Sequence, residues 1–178
     1  MALIDEAMDQ DDLSEYYLDH DEKRYSAIST ESVRSLDPAK PISLTPDDSL
    51  QTAIAVMQDK RIGAIMVVED QRPVGIFTER DVLAKVIAKV SDLNVAQLKD
   101  YMTSNPICLR SDDSIAYALN QMTVGGFRHV PIIDKQGRVT GIISVRDIAE
   151  YVASLVPGEV YNIRPEPLRG GFISCEGG

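Results

Sequence analysis

Histidine and cysteine are scarce in this chain of 178 residues, with two of each, and that scarcity removes most catalytic and metal chemistry. His20 and His129 lie far apart, and no His/Cys/carboxylate cluster has the ligand spacing of a zinc site. Cys108 and Cys175 stand in dissimilar surroundings. They match neither a disulfide framework nor a paired metal motif, so a reducing cytoplasm is the expected compartment. Cys175 has no base near it in sequence, and there is no Gly-x-Ser-x-Gly elbow, Walker loop or Rossmann fingerprint. Neither enzymatic activity nor a catalytic cofactor is expected. Long apolar runs are missing as well. Stretches such as residues 63–68 are far too short to span a bilayer, so membrane insertion is not expected. At the N-terminus no basic region precedes an apolar one, and no secretory signal is visible.

Basic charge is absent from the first 22 residues, which hold nine of the chain's 28 acidic residues and none of its 18 basic ones. The net charge of −10 therefore comes from one end, and the rest is nearly neutral. A run such as Asp9-Gln10-Asp11-Asp12 is solvated and packs poorly, so residues 1–24 read as a disordered acidic leader. It is a solubilising tail, or it has a partner-binding or membrane-repelling role. Overall acidity disfavours nucleic acid, whose phosphates demand cations. A length of 178 residues allows one or two domains with a self-sufficient core.

What the chain does contain, it contains twice. Pro41-Ile42-Ser43-Leu44, Asp47-Asp48-Ser49 and Met57 recur 65 positions later as Pro106-Ile107-Cys108-Leu109, Asp112-Asp113-Ser114 and Met122. After one inserted residue, Gly75-Ile76-Phe77-Thr78-Glu79-Arg80-Asp81 answers Gly141-Ile142-Ile143-Ser144-Val145-Arg146-Asp147. Two copies, each with Thr or Ser three positions before Asp at a strand-to-helix junction, predict two equivalent clefts.

Each copy reads β-α-β-β-α. In the first, residues 41–44 are extended and 45–49 supply a helix cap. An amphipathic helix then runs to about Arg61, followed by a buried strand at 64–68 and a turn at 69–73. A second strand over 74–77 ends at Thr78, where a helix carrying Val82, Leu83, Val86, Ile87 and Val90 opens. In the second, a strand at 107–109 precedes a helix at 115–123. A hairpin of 130–133 and 139–143 turns at Gly137, and a helix covers 144–156. Residues 25–37 read as a short helical lead-in, 38–98 as repeat 1, 99–156 as repeat 2 and 157–178 as an extension. Neither half covers its own sheet, so an α+β fold of two halves about a pseudo-two-fold axis is expected.

The landmarks Tyr101-Met102-Thr103-Ser104-Asn105-Pro106-Ile107 and Phe127-Arg128-His129-Val130-Pro131-Ile132-Ile133-Asp134 are telling. With the two Gly-x-x-Thr/Ser-x-x-Asp endings, they make residues 38–155 resemble a tandem pair of CBS domains, also called a Bateman module. The resemblance implies recognition of adenosyl ligands. Asp81 and Asp147 would accept from ribose hydroxyls. Thr78 and Ser144, beside free helical N–H groups, would meet phosphate with Arg80 and Arg146. Adenine would lie in an apolar slot flanked by Ile42 or Ile107.

Other roles remain open for these residues. Thr78, Ser144, Asp81 and Asp147 are all suited to plain capping. Arg80 and Arg146 suit surface ion pairs equally well.

The copies also disagree. Gly63-Ala64 aligns with Arg128-His129, so the second copy has two potential phosphate ligands where the first has none. CBS nucleotide sensors such as the AMP-activated kinase gamma subunit use basic residues at this strand start. Alternatively Arg128 is a surface residue and His129 is packed.

The resemblance thus implies a stand-alone CBS-pair regulatory protein. It would bind AMP, ADP or ATP as regulatory ligand, form a homodimer, and signal in trans to an unidentified partner. The alternatives are a ligand-free structural or interaction module, and a sensor of S-adenosylmethionine, NAD or a cyclic dinucleotide. The extension, with Tyr161, Phe172 and Ile173, is either an extended arm or a docking segment.

Overall fold

Two sheets packed face to face, each with helices on its outer side, are built from the two copies. The structure is a computed structural model that describes residues 28–155. The acidic leader with His20, the first residues of the lead-in, and the extension with Tyr161, Phe172, Ile173 and Cys175 lie outside the described residues. The first repeat runs β1 (Ser43–Leu44), α1 (Leu50–Lys60), β2 (Ala64–Glu69), β3 (Arg72–Thr78) and α2, which comprises Glu79–Asp81 and a wide π turn over Val82–Val86. After a 3-10 turn at Leu98–Asp100 come β4 (Thr103–Ser104), β5 (Leu109–Arg110), α3 (Ile115–Gly125), β6 (His129–Ile133), β7 (Val139–Ser144) and α4 (Val145–Leu155). The sheet orders are β1-β2-β3-β4 and β5-β6-β7. In each, the short first strand is parallel to the second and the hairpin is antiparallel.

Local chemistry explains why the copies fold alike. Ser49 and Ser114 cap their helices, each hydroxyl accepting at 3.1 Å from the N–H three residues on (Thr52, Tyr117). Leu50, Ala53 and Met57 bury one face of α1, and Ile115, Ala118 and Met122 the matching face of α3. Ile65, Val67 and Phe77 point into the first core, and Val130, Ile132 and Ile143 into the second. Alternate residues Ala64, Met66 and Ile76 meet Val139 and Ile142 between the sheets. Burial on both faces accounts for the unbroken apolar run of β2.

The segment preceding each repeat packs on the other repeat. Val33, in a 3-10 turn at Val33–Leu36, is fully buried in the second core, and Leu98 is fully buried in the first. Ala39 bridges to Ile142 on the edge of the second sheet, while β4 pairs Thr103 with Ile76 on the edge of the first. The close approach of these edges needs small partners. A Cβ on Gly75 would fall 2.1 Å from Met102 Sδ, and one on Gly141 2.7 Å from Pro38 Cβ.

Three expected elements differ. The lead-in is a helical turn at 28–30 followed by the 3-10 turn, which Asp37 ends at φ 48°. It is pinned to the second repeat through Val33 N–H to the Asp113 carbonyl and Ile115 N–H to the Glu31 carbonyl, so it does not form one helix. The first hairpin turns on Asp70 and Gln71, at φ 47° and 65°, and Arg72 and Pro73 already belong to β3. Pro73 sits where the register shifts, a place where its missing N–H is tolerated. The helix opened by Thr78 widens at once into the π turn, with Ile87 N–H bonded to the Val82 carbonyl, and Ala88 ends it at φ 61°.

Candidate ligand-binding clefts

Both strand-to-helix junctions form the same cap. Thr78 N–H and Oγ1 donate to Asp81 Oδ2 at 2.9 and 2.7 Å; Ser144 N–H and Oγ donate to Asp147 Oδ2 at 2.5 and 2.9 Å. The first helical N–H of each junction, on Glu79 and Val145, donates to the carbonyl of Gly63 and of Arg128. Capping is therefore one job of these residues in both copies.

A cavity opens beside each cap. The first, about 370 Å3, is lined by Thr78, Arg80 and Asp81, by Ile76 and Thr103, and by Pro106, Ile107, Phe127, Arg128 and His129. The second, about 620 Å3, is lined by Ser144, Arg146 and Asp147 with Ile42, Lys40, Arg61 and Glu79, and again by Arg128 and His129. Each cap of one repeat thus faces the short apolar segment of the other, Ile107 for the first cleft and Ile42 for the second. All of the predicted site residues are gathered in these two clefts. Both volumes lie in the range of small-molecule sites.

Arg128 and His129 belong to both clefts, so their alignment against Gly63 and Ala64 does not favour one cleft over the other. They stand where the two repeats meet. A Cβ on Gly63 would be 3.3 Å from His129 Cε1 and 3.4 Å from a Glu79 carboxylate oxygen, so a side chain larger than glycine's would crowd the imidazole. Burial and the Arg128 guanidinium push the His129 pKa below its ordinary value, against the pull of Asp147 and Glu79. The fold therefore favours neutral His129. Its contribution to stability is complete above the unfolded value of about 6.5 and is lost as pH falls through and below it. Melting the wild type and His129→Gln between pH 7.5 and 5.5 checks this: the variant should lose less stability on acidification.

The arginines beside the caps differ. Arg146 Nε donates to Glu150 at 2.7 Å on an exposed face, while Arg80 donates to the Gly126 carbonyl.

The carboxylates differ more. Asp81, only 6% exposed, receives two further donors on Oδ1, Lys85 Nζ at 2.7 Å and Thr103 Oγ1 at 3.2 Å. Asp147 is half-buried, and its Oδ1 takes no hydrogen bond among the described residues. Lys85 was legible as an acid–base pair at i, i+4 spacing. Thr103 was not, because only the pairing of β4 with β3 brings it there.

The CBS domain family model matches residues 33–88 and 98–154, so the chain belongs to the CBS-domain family. A 17.7 kDa uncharacterized protein of Acidianus ambivalens is 32% identical over 80% of this chain and 85% of its own length. The CBS domain-containing protein CBSCBSPB3 of Arabidopsis thaliana is 31% identical over 67% of this chain, which spans only 22% of that relative. Among solved structures, a CBS-domain containing protein from Agrobacterium tumefaciens superposes with TM-score 0.63 at 30% identity, covering 68% of this chain and 98% of the other. A CBS domain protein from Pyrobaculum aerophilum complexed with AMP has TM-score 0.62 and 25% identity, covering 70% and 99%. No helix among the described residues is long and apolar enough to cross a membrane.

Proposed function

We propose that this protein is a non-catalytic regulatory module of the cytoplasm that binds an adenine nucleotide, AMP, ADP or ATP, and passes ligand state to a partner protein in trans. The observation that carries this reading is the Ser144–Asp147 cap. It offers an open carboxylate oxygen at the mouth of a cleft that also holds Ile42 and the cations Lys40, Arg61 and Arg128. A ribose diol suits the carboxylate, a purine suits the apolar wall, and phosphate suits the cations. The AMP complex of the Pyrobaculum aerophilum relative supports the same ligand class. Binding favours whichever packing of the two repeats fits the ligand better, and shifts their equilibrium only by that difference. Leu83 and Ile87, exposed on the turn after Asp81, support a homodimer formed through this side.

Thermal melting with AMP, ADP, ATP, S-adenosylmethionine, NAD and cyclic dinucleotides tests the reading. A ligand at 100 times its dissociation constant stabilises by about 2.7 kcal/mol, roughly 5–10 °C for a protein of this size. The adenine nucleotides should give that shift. No shift with any of these compounds at millimolar concentration leaves the ligand-free structural module as the answer.

Affinity should also rise between pH 7.5 and 6.5. A phosphate dianion beside His129 raises the imidazole pKa from its depressed value, so binding takes up a proton. Titrations of His129→Gln should show a flatter pH profile.

A further inference from the structure

The two clefts share a cap but not its availability, and the difference lies in residues outside the repeated motif. A carboxylate has about four lone-pair sites. Asp81 has all four occupied: Thr78 N–H and Oγ1 on one oxygen, Lys85 and Thr103 on the other. Lys85 is itself held, donating to the carbonyls of Tyr101 at 2.9 Å and Met102 at 3.0 Å. These bonds tie the π turn of α2 to the edge strand β4. The π turn is where i→i+5 bonding replaces regular helix, a feature common at functional sites.

In the second repeat the place of Lys85 is taken by Tyr151, 66 positions on, the interval that separates Asp81 from Asp147. The residue that pairs with the second sheet as Thr103 pairs with the first is Ala39, facing Ile142. Ala39 has no side-chain donor, the Tyr151 hydroxyl makes no hydrogen bond to Asp147, and Oδ1 takes none from any described residue.

We propose that Lys85 acts as a built-in substitute for the ribose hydroxyls in the first cleft, so that the chain takes one adenine nucleotide, in the second cleft. Lys85 is then a specificity-determining residue that sets occupancy, and it acts by filling the acceptor sites of Asp81. The remaining first cleft, with Ile76, Ile107 and Phe127 beside Arg80 and Arg128, has no carboxylate left for a vicinal diol.

The inference rests on the adenosyl reading, and calorimetric titration of the full chain with AMP separates the two. The expected stoichiometry is one AMP per chain in the wild type and two in Lys85→Gln, whose amide keeps a donor for the Tyr101 and Met102 carbonyls. Because Asp81 is buried, removing Lys85 lowers stability, so a second pair of variants carries the test independently. Asp147→Asn should weaken AMP binding at least tenfold, while Asp81→Asn should leave it within about twofold. Two sites of similar affinity in the wild type, or equal losses in Asp81→Asn and Asp147→Asn, overturn the role of Lys85 and leave the adenosyl reading standing. A folded Lys85→Gln that still binds one AMP overturns it as well. Absence of AMP, ADP and ATP binding in every protein overturns both.

Discussion

Truncating Asp147 to alanine is expected to weaken adenine-nucleotide binding by about 10- to 100-fold. Hydrogen bonds to a charged group contribute about 1.5–3 kcal/mol each, and every 1.4 kcal/mol is a factor of ten in affinity. Oδ2 of Asp147 is occupied by the Ser144 cap and Oδ1 takes no hydrogen bond among the described residues, so a ribose hydroxyl meets an acceptor that none of them is using. The alanine variant also loses the cap, which costs about 1 kcal/mol of stability. Asp147→Asn separates the two effects, because an amide oxygen still accepts from the Ser144 N–H while the NH2 group opposes the ribose donors. Isothermal titration with AMP or ATP measures the loss. An unchanged isotherm in both variants would remove the ribose assignment.

The second large effect concerns the fold. Leu98→Ala should destabilise the protein by about 2–5 kcal/mol, the cost of emptying a fully buried leucine site. At about 2–4 °C per kcal/mol for a protein of this size, that corresponds to a melting shift of roughly 4–20 °C. Leu98 immediately precedes the second repeat, where the second family match begins, and is 0% exposed inside the core of the first, with Leu50, Ile65 and Phe77. Hydrogen exchange therefore gives a sharper readout than melting alone. Amides of Ile65 and Phe77 should lose protection at milder conditions than those of Val130 and Ile143. Val33→Ala should do the reverse, since Val33 sits in the core of the second repeat. Uniform loss across both repeats would show that the two cores open as one unit.

Much of this architecture is written in local pattern. Ser49 and Ser114 precede apolar residues at helical spacing, and hydroxyl caps with one buried helical face follow from side-chain chemistry within a few residues. The unbroken run from Ile65 to Val67 signals a strand covered on both faces, and the Thr/Ser-x-x-Asp endings mark both caps. Even the pairing of Arg146 with Glu150 is an i, i+4 contact. The π turn after Asp81 is less accessible, because Val82, Leu83, Val86 and Ile87 keep a helical apolar pattern. The π turn coincides with contacts of Lys85 to carbonyls sixteen and seventeen residues away, which no local pattern displays.

The sequence by itself determined the duplication, the β-α-β-β-α plan of each copy, and which residues stand at the two strand-to-helix junctions. Those features depend on side-chain periodicity and on hydrogen bonds spanning three or four residues. Only the tertiary structure decided that the lead-in of each copy packs into the other, through Val33 and Leu98. It alone placed Arg128 and His129 in both clefts, and set Thr103 and Lys85 against Asp81 while no described residue donates to Asp147 Oδ1. These outcomes depend on which edges and turns meet across the pseudo-dyad. Identical motifs there acquire different neighbours, and the free acceptor atoms of a carboxylate are settled by neighbours distant in the chain.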